Sequence, residues 1–215
     1  MTAIVTRWWW VRHAPVTENE GRIYGAADLN CVTDDAAAFS GLADLLPEKA
    51  RLVTSHLKRT RQTADAIRAA GLALPEPLVE PDIGEQSFGD WQGKHHAELQ
   101  TEEAFTGHHF WLCPGHFRPP GGESFADLIA RTAPAIERLS DDHPDGDIVA
   151  VGHGGTIRAA LALALGLDAE GALAFTIDNL SVTRLDRIVE RGSAPDGHRD
   201  RRMWRVVMVN RAPHA

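Results

Sequence analysis

Two histidines in the 215-residue chain directly follow apolar runs. Trp8-Trp9-Trp10-Val11 leads into Arg12-His13, and Ile148-Val149-Ala150-Val151 leads into Gly152-His153-Gly154-Gly155. Both runs are short and rich in aromatic or β-branched residues, which predicts strands rather than helices. A histidine just past a buried strand is held rigidly with one ring nitrogen free, and imidazole is a competent nucleophile toward phosphorus near pH 7. Arg12 offers a planar fork that matches phosphate oxygens. The glycines around His153, Gly154 among them, let backbone N–H groups approach an anion where a helix dipole favours negative charge. Taken alone, each motif is also compatible with a polar strand end or a Gly-rich turn.

Two further segments carry reactive side chains. Thr54-Ser55-His56-Leu57-Lys58-Arg59-Thr60-Arg61 lies at another strand-to-helix junction. Arg59 falls in the first helical turn, where it can point back over the strand ends, and Arg61 competes for that role. In Ile83-Gly84-Glu85-Gln86-Ser87-Phe88-Gly89-Asp90-Trp91, a glutamate among glycines and aromatics is partly withdrawn from water, which suits Glu85 to general-acid work. Phosphoryl transfer mainly needs positioning and compensation of negative charge. Two arginines and a histidine supply both, and no Asp-rich or Walker-type motif calls for a metal or cofactor.

These residues need a scaffold of alternating strands and helices. Strands are expected at Trp8–Val11, Arg51–Thr54, Ile148–Val151, Phe175–Ile177, Ser181–Leu185 and Trp204–Val209. Thr33 reads as the cap of a helix with Asp34 and Asp35 in its first turn, ending near Pro47. Further helices are expected over Thr60–Ala70, from Glu123 through a kink at Pro134, and from the glycines after His153 to Leu165. A short helix around Ala97–Phe105 and a polar turn over residues 190–202 complete the reading. Alternation of this kind predicts a three-layer α/β/α sandwich with a mostly parallel central sheet, whose strand ends bind ligands. We expect a single domain over 1–215, with 86–122 as a lid-like excursion.

Together, the four motifs resemble the histidine phosphatase superfamily, which includes the cofactor-dependent phosphoglycerate mutases. The resemblance runs from Trp9 to about Leu185, with the motifs in the family order. It implies the phosphoglycerate mutase-like fold and gives each residue a role. His13 is the nucleophile that becomes phosphohistidine, and Arg12, Arg59 and His153 clamp the phosphoryl oxygens. Glu85 protonates the leaving oxygen and then activates water. Asn19 falls where the family often lines its phosphate pocket, and the spacing from Ser55 to Thr63 favours Arg59 over Arg61. Ala14 replaces a glycine usual after the nucleophile. The opening Arg12-His13-Ala14-Pro15-Val16, with Gly21, Tyr24-Gly25 and Asp28, is similar to α-ribazole phosphatases. The expected activity is hydrolysis of a small-molecule phosphate monoester, with a phosphoglycerate mutase as the alternative.

Composition sets the remaining bounds. A net charge of −8 argues against a general nucleic-acid binder, which needs a basic footprint. The longest apolar stretch, Ala159–Leu165, is too short to span a bilayer, and no cleavable leader is visible in the first residues. Cys31 and Cys113 are the two cysteines, and their spacing requires no bond. The expectation is a soluble, cytoplasmic protein. A reading of another class is a metal-binding or regulatory protein without turnover, on His95, His96, His108, His109, Cys113 and His116; their spacing matches no strong metal signature.

Overall fold

The computed structural model describes residues 3–101, 105–192 and 200–214. Its centre is a six-stranded mixed sheet in the order β3-β2-β4-β1-β5-β6. The strands are β1 (Ala3–Arg12), β2 (Ala50–Thr54), β3 (Leu78–Val79), β4 (Asp147–Gly152), β5 (Val182–Glu190) and β6 (Arg201–Arg211). The pairs β1–β4, β4–β2 and β2–β3 are parallel, while β5 and β6 add antiparallel at the other side.

Period-two alternation explains the tryptophan run. Trp8 and Trp10 stack at 5.1 Å on one face of the sheet, fully buried, while Val11 and Trp9 pack on the opposite face. The first face is covered by α4 (Phe125–Asp142) and α5 (Gly154–Leu165), through Ile136, Leu139, Ile157 and Leu161. The second is covered by α1 (Ala36–Leu45) and α2 (Lys58–Ala69), through Phe39, Leu42, Ala64 and Ile67. Helices on both faces of a largely parallel sheet give the expected sandwich.

Several local readings shift. The cap of α1 is Asp35, whose carboxylate accepts the Ala38 N–H, rather than Thr33. Helix α2 begins two residues before Thr60, and α4 begins after Ser124, which forms a capping box with Asp127 and runs through Pro134. The short helix α3 covers only His96–Leu99, and residues 102–104 of its expected span lie outside the described residues. In the expected polar turn, Glu190, Arg201 and Arg202 belong to β5 and β6, and 193–199 lie outside the described residues. Phe175–Ile177 is not a strand. It follows the short helix α6 (Ala169–Leu173), and its carbonyls serve guanidinium groups instead of a ladder: Arg158 Nε donates to Phe175 O at 2.8 Å and Arg12 Nη1 to Ile177 O at 2.6 Å.

The excursion after Glu85 has a closed neck. Asp90 N–H donates to Pro120 O at 2.8 Å, and Glu123 N–H to Ser87 O at 2.9 Å. Beyond the neck the segment has its own small core of Phe88, Trp91, Leu99, Leu112 and Cys113, against Ile23.

Candidate active site

Sheet register brings the chemistry to one level. Val11 lies opposite Val151, which lies opposite Thr54, so the residues that follow these three converge at one edge. They are Arg12-His13, Gly152-His153 and Ser55. Ligands of open α/β sheets bind at this carboxyl edge.

His13 is 1% exposed and its backbone is fixed from three sides. Its N–H donates to Gly152 O at 3.0 Å, its carbonyl accepts from Asn179 Nδ2 at 2.7 Å, and the next N–H, of Ala14, donates to Thr63 Oγ1 at 2.9 Å. Ala14 has no positive φ, so the alanine in place of the family's glycine sits without backbone strain. His13 Nδ1 lies 2.7 Å from Ala14 O. A carbonyl can only accept, so Nδ1 carries the proton and Nε2 keeps its lone pair. Burial, then the charge of Arg59, holds the His13 pKa well below the usual 6.5. The ring is therefore neutral near pH 7, the state a nucleophile needs.

Arg59 is fully buried at the start of α2. Nη1 donates to Ala27 O at 2.6 Å, Nη2 to Gly25 O at 2.7 Å, and Nε to His153 Nδ1 at 3.3 Å. A guanidinium has five N–H groups, so two remain for a ligand. Gly25 has φ +43°, and a Cβ there would come within 2.7 Å of Gln86 O, so the loop over Arg59 needs glycine. His153 Nε2 lies 2.8 Å from Ser55 Oγ. Both nitrogens of His153 are thus engaged, so in this arrangement the ring orients Arg59 rather than presenting a free N–H. Its centroid is 5.2 Å from that of His13. The buried Nε of Arg12 has no partner. A buried donor left open in a polar site marks a place for a ligand acceptor.

Glu85 reaches the same place from the other side. Its carboxylate accepts the N–H of Gly155 at 3.1 and 3.2 Å, in the first turn of α5, and the N–H of Gln86 at 3.0 Å. A Cβ on Gly155 would lie 2.3 Å from Glu85 Oε1, so this approach requires glycine. Gly154 is buried in the same turn, and a Cβ there would meet Arg158 Nη1 at 3.1 Å and Arg12 Nε at 3.6 Å.

A cavity of about 410 Å³ opens beside these groups, lined at its inner end by Arg12 and Glu85. Asn19 lines it too, although its amide donates to Arg22 O at 2.7 Å. Arg61 is exposed on α2 and does not line the cavity. Three contributors escaped sequence reasoning. Asn179 holds the His13 carbonyl. Arg158 packs over the Trp111 ring at 4.7 Å, and burial lowers its pKa to about 10. Arg131 donates to the carbonyls of Asp82, Gly84 and Glu85 at 2.7, 3.0 and 3.1 Å. An arginine inside the apolar run of α5 is the one signal that marked Arg158.

The histidine-rich segment does not gather. Among the described residues no three His, Cys, Asp or Glu side chains converge on a metal position. His108 lies 3.2 Å from Glu170, while Cys113 is a buried free thiol whose pKa burial pushes up to about 12. Among the described residues no helix is long and apolar enough to cross a membrane.

Fold and site together define an α/β protein that gathers guanidinium groups and backbone N–H donors around a neutral buried imidazole at the carboxyl edge of its parallel strands. The chain belongs to the histidine phosphatase superfamily (branch 1), whose family model matches residues 8–194. It is similar to the adenosylcobalamin/alpha-ribazole phosphatase of Escherichia coli, 28% identical over 80% of this chain and 85% of that protein. It is 35% identical to the metal-independent phosphoserine phosphatase of Arabidopsis thaliana, over 69% of this chain and 64% of that one. Among solved structures, a mycobacterial glucosyl-3-phosphoglycerate phosphatase superposes with a TM-score of 0.74 at 26% identity, covering 96% of this chain and 99% of that one.

Proposed function

We propose that this protein hydrolyses small-molecule phosphate monoesters through a phosphohistidine on His13. The observation that carries the reading is the state of His13: buried, neutral, with Nδ1–H held by Ala14 O and Nε2 left as the lone-pair nitrogen. Nε2 attacks phosphorus and the P–O bond to the leaving alcohol breaks. Glu85 gives its proton to that oxygen. The open Nε of Arg12, the remaining N–H groups of Arg59 and the N–H groups at the α5 N-terminus compensate the phosphoryl charge. Water then attacks the phosphohistidine while the Glu85 carboxylate takes its proton. Inorganic phosphate leaves and His13 returns to neutral. No metal enters either step.

The test is phosphate release from a panel of monoesters in a chelating buffer, with acid-stable labelling of the protein excluded and base-stable labelling sought after a rapid quench. Turnover should persist, and the label should map to His13. Folded His13→Ala should lose at least about three orders of magnitude in turnover. Near-normal activity in that variant, or activity abolished by chelation and restored by zinc, overturns the reading.

A further inference from the structure

The excursion carries six large aromatic residues, Phe88, Trp91, Phe105, Phe110, Trp111 and Phe117, and the structure sorts them into two groups. Phe117 stacks on Trp91 and Phe105 meets Trp91 edge-on, each with its centroid 5.5 Å from that of Trp91, and none of the three lines the cavity. Phe110 and Trp111 do line it, together with Phe88 and Tyr24. Trp111 is fixed there, because its indole N–H donates to Gln86 Oε1 at 2.7 Å. Phe110 is positioned but uncovered: its N–H donates to His108 Nδ1 at 3.2 Å, its ring lies edge-on to His108 at 5.7 Å, and the residue is 62% exposed at the cavity mouth.

The charges in this wall are one-sided. Among the described residues, Arg12 and Arg22 line the cavity with two imidazoles, of His96 and His109, and the one carboxylate is Glu85 at the transfer end. An ammonium on a leaving group finds no partner among these residues apart from the acid itself. A polyol would find the remaining N–H groups of Arg22, one of whose five goes to Gly93 O at 2.9 Å, and an Asn19 amide that donates to Arg22 O, but Ile23, Phe88, Phe110 and Leu112 give its hydroxyls nothing to bond. A cavity of about 410 Å³ also far exceeds a phosphoryl group and falls in the range of small-molecule pockets.

We propose that the leaving group is an aromatic alcohol without positive charge, and that Phe110 covers its ring and sets this preference. The proposal rests on the phosphatase reading above. The ring enters between Phe110 and the Phe88–Trp111 wall, where face and edge contacts reward a flat π-system over an alkyl chain.

The test compares esters of primary alcohols with similar acidity. For 2-phenylethyl phosphate kcat/KM should exceed that for propyl phosphate by about thirty-fold, mostly through KM, from burial of one ring. O-phosphoserine and glucose 6-phosphate should rank below the phenylethyl ester. In Phe110→Ala the phenylethyl-to-propyl ratio should fall by about five-fold, and Phe110→Tyr should restore it. A ratio near one in the parent, a better rate with O-phosphoserine, or a ratio untouched by Phe110→Ala overturns the proposal while leaving the phosphatase reading intact. If no ester is hydrolysed, the phosphatase reading falls, and the wall is judged by calorimetry with 2-phenylethylphosphonate and propylphosphonate. Tighter binding of the aromatic phosphonate, lost in Phe110→Ala, supports it; equal binding overturns it.

Discussion

Nε–H of Arg59 donates to Nδ1 of His153 across 3.3 Å, and this contact fixes which nitrogen of the histidine carries its proton. A guanidinium cannot accept, so Nδ1 is bare and Nε2–H donates to Ser55 Oγ at 2.8 Å. The serine hydroxyl lies 3.1 Å from Thr60 Oγ1, and the threonine lies 2.8 Å from Leu57 O, so the chain of donors ends on the backbone at the start of α2. Protonating His153 would break this order at its first link.

That arrangement makes the fold sensitive to mild acid. Burial is the main cause, and Arg59 the next, of pKa values well below 6.5 for both His13 and His153. The unfolded chain, with histidines near about 6.5, binds more protons below that pH than the folded one does. Their neutral state therefore supports full stability above that value, and stability falls as pH drops toward the lower folded values. Urea midpoints read by tryptophan fluorescence should decrease between about pH 7.5 and pH 5.5 in the parent. The double variant His13→Asn, His153→Asn should show a smaller decrease. An unchanged decrease would mean that other groups govern the effect.

Glu85 should be tested by the leaving group. Glu85→Gln keeps a side chain of the same shape at the N-terminus of α5 but has no proton to give. Alkyl phosphates, whose oxygen leaves only with a proton, should lose about 100-fold or more in kcat, and 4-nitrophenyl phosphate about ten-fold or less. Equal losses for the two esters would exclude Glu85 as the acid.

The strand-end histidines and the helix bearing Arg59 were legible because each follows a short apolar run, and strand ends in this kind of sheet meet at one edge. Arg59 was preferred to Arg61 on the spacing that the family resemblance implies, and the structure ties it to Thr63, whose hydroxyl donates to the Arg59 carbonyl at 2.7 Å. Phe175–Ile177 misled for a physical reason. A triplet of one aromatic and two β-branched residues has strand propensity, but the carbonyls of Phe175 and Ile177 answer to Arg158 and Arg12. Asn179 and Arg131 act through backbone carbonyls, and such contacts leave no periodic trace. Which aromatics of the excursion face the cavity was not legible, because it depends on the packing of Phe105 and Phe117 against Trp91, residues distant from it in sequence.

Arg131 offers a sharper check on how Glu85 is held. Besides the carbonyls of Asp82, Gly84 and Glu85, it grips Glu123 through Nε at 3.0 Å and Nη2 at 2.8 Å. Glu123 in turn accepts the Ser87 N–H at 3.0 Å, so the pair pins both sides of the acid's loop. Arg131→Gln should lower kcat about ten-fold for alkyl phosphates and less for 4-nitrophenyl phosphate, with little change in KM. Arg131→Lys should recover part of the loss. If the two esters fall equally, or if KM carries the change, Arg131 supports the fold without positioning the acid.

The last prediction separates hydrolysis from mutase chemistry. A phosphoglycerate mutase must hold a carboxylate and two phosphate positions while keeping water from the phosphohistidine, which calls for several cations over the pocket. From Gln86 to Gly122 the fixed cations are Lys94 and Arg118, against Asp90, Glu98, Glu102 and Glu103. Arg118 is directed to Asp127 at 2.7 Å, outside the cavity lining. The guanidinium groups that line the cavity are Arg12 at its inner end and Arg22 on its outer wall, and the rest of that wall is largely aromatic. Such a site compensates one phosphoryl group well but, among the described residues, offers Arg22 as the one fixed cation for both a carboxylate and a second phosphate, so water should win the competition for the phosphoenzyme. With 3-phosphoglycerate and a bisphosphoglycerate primer, we expect any turnover to release inorganic phosphate, with 2-phosphoglycerate below about a tenth of the product. Following both products by phosphorus NMR decides the matter: efficient formation of 2-phosphoglycerate with negligible phosphate release would place the chain with the mutases of its superfamily.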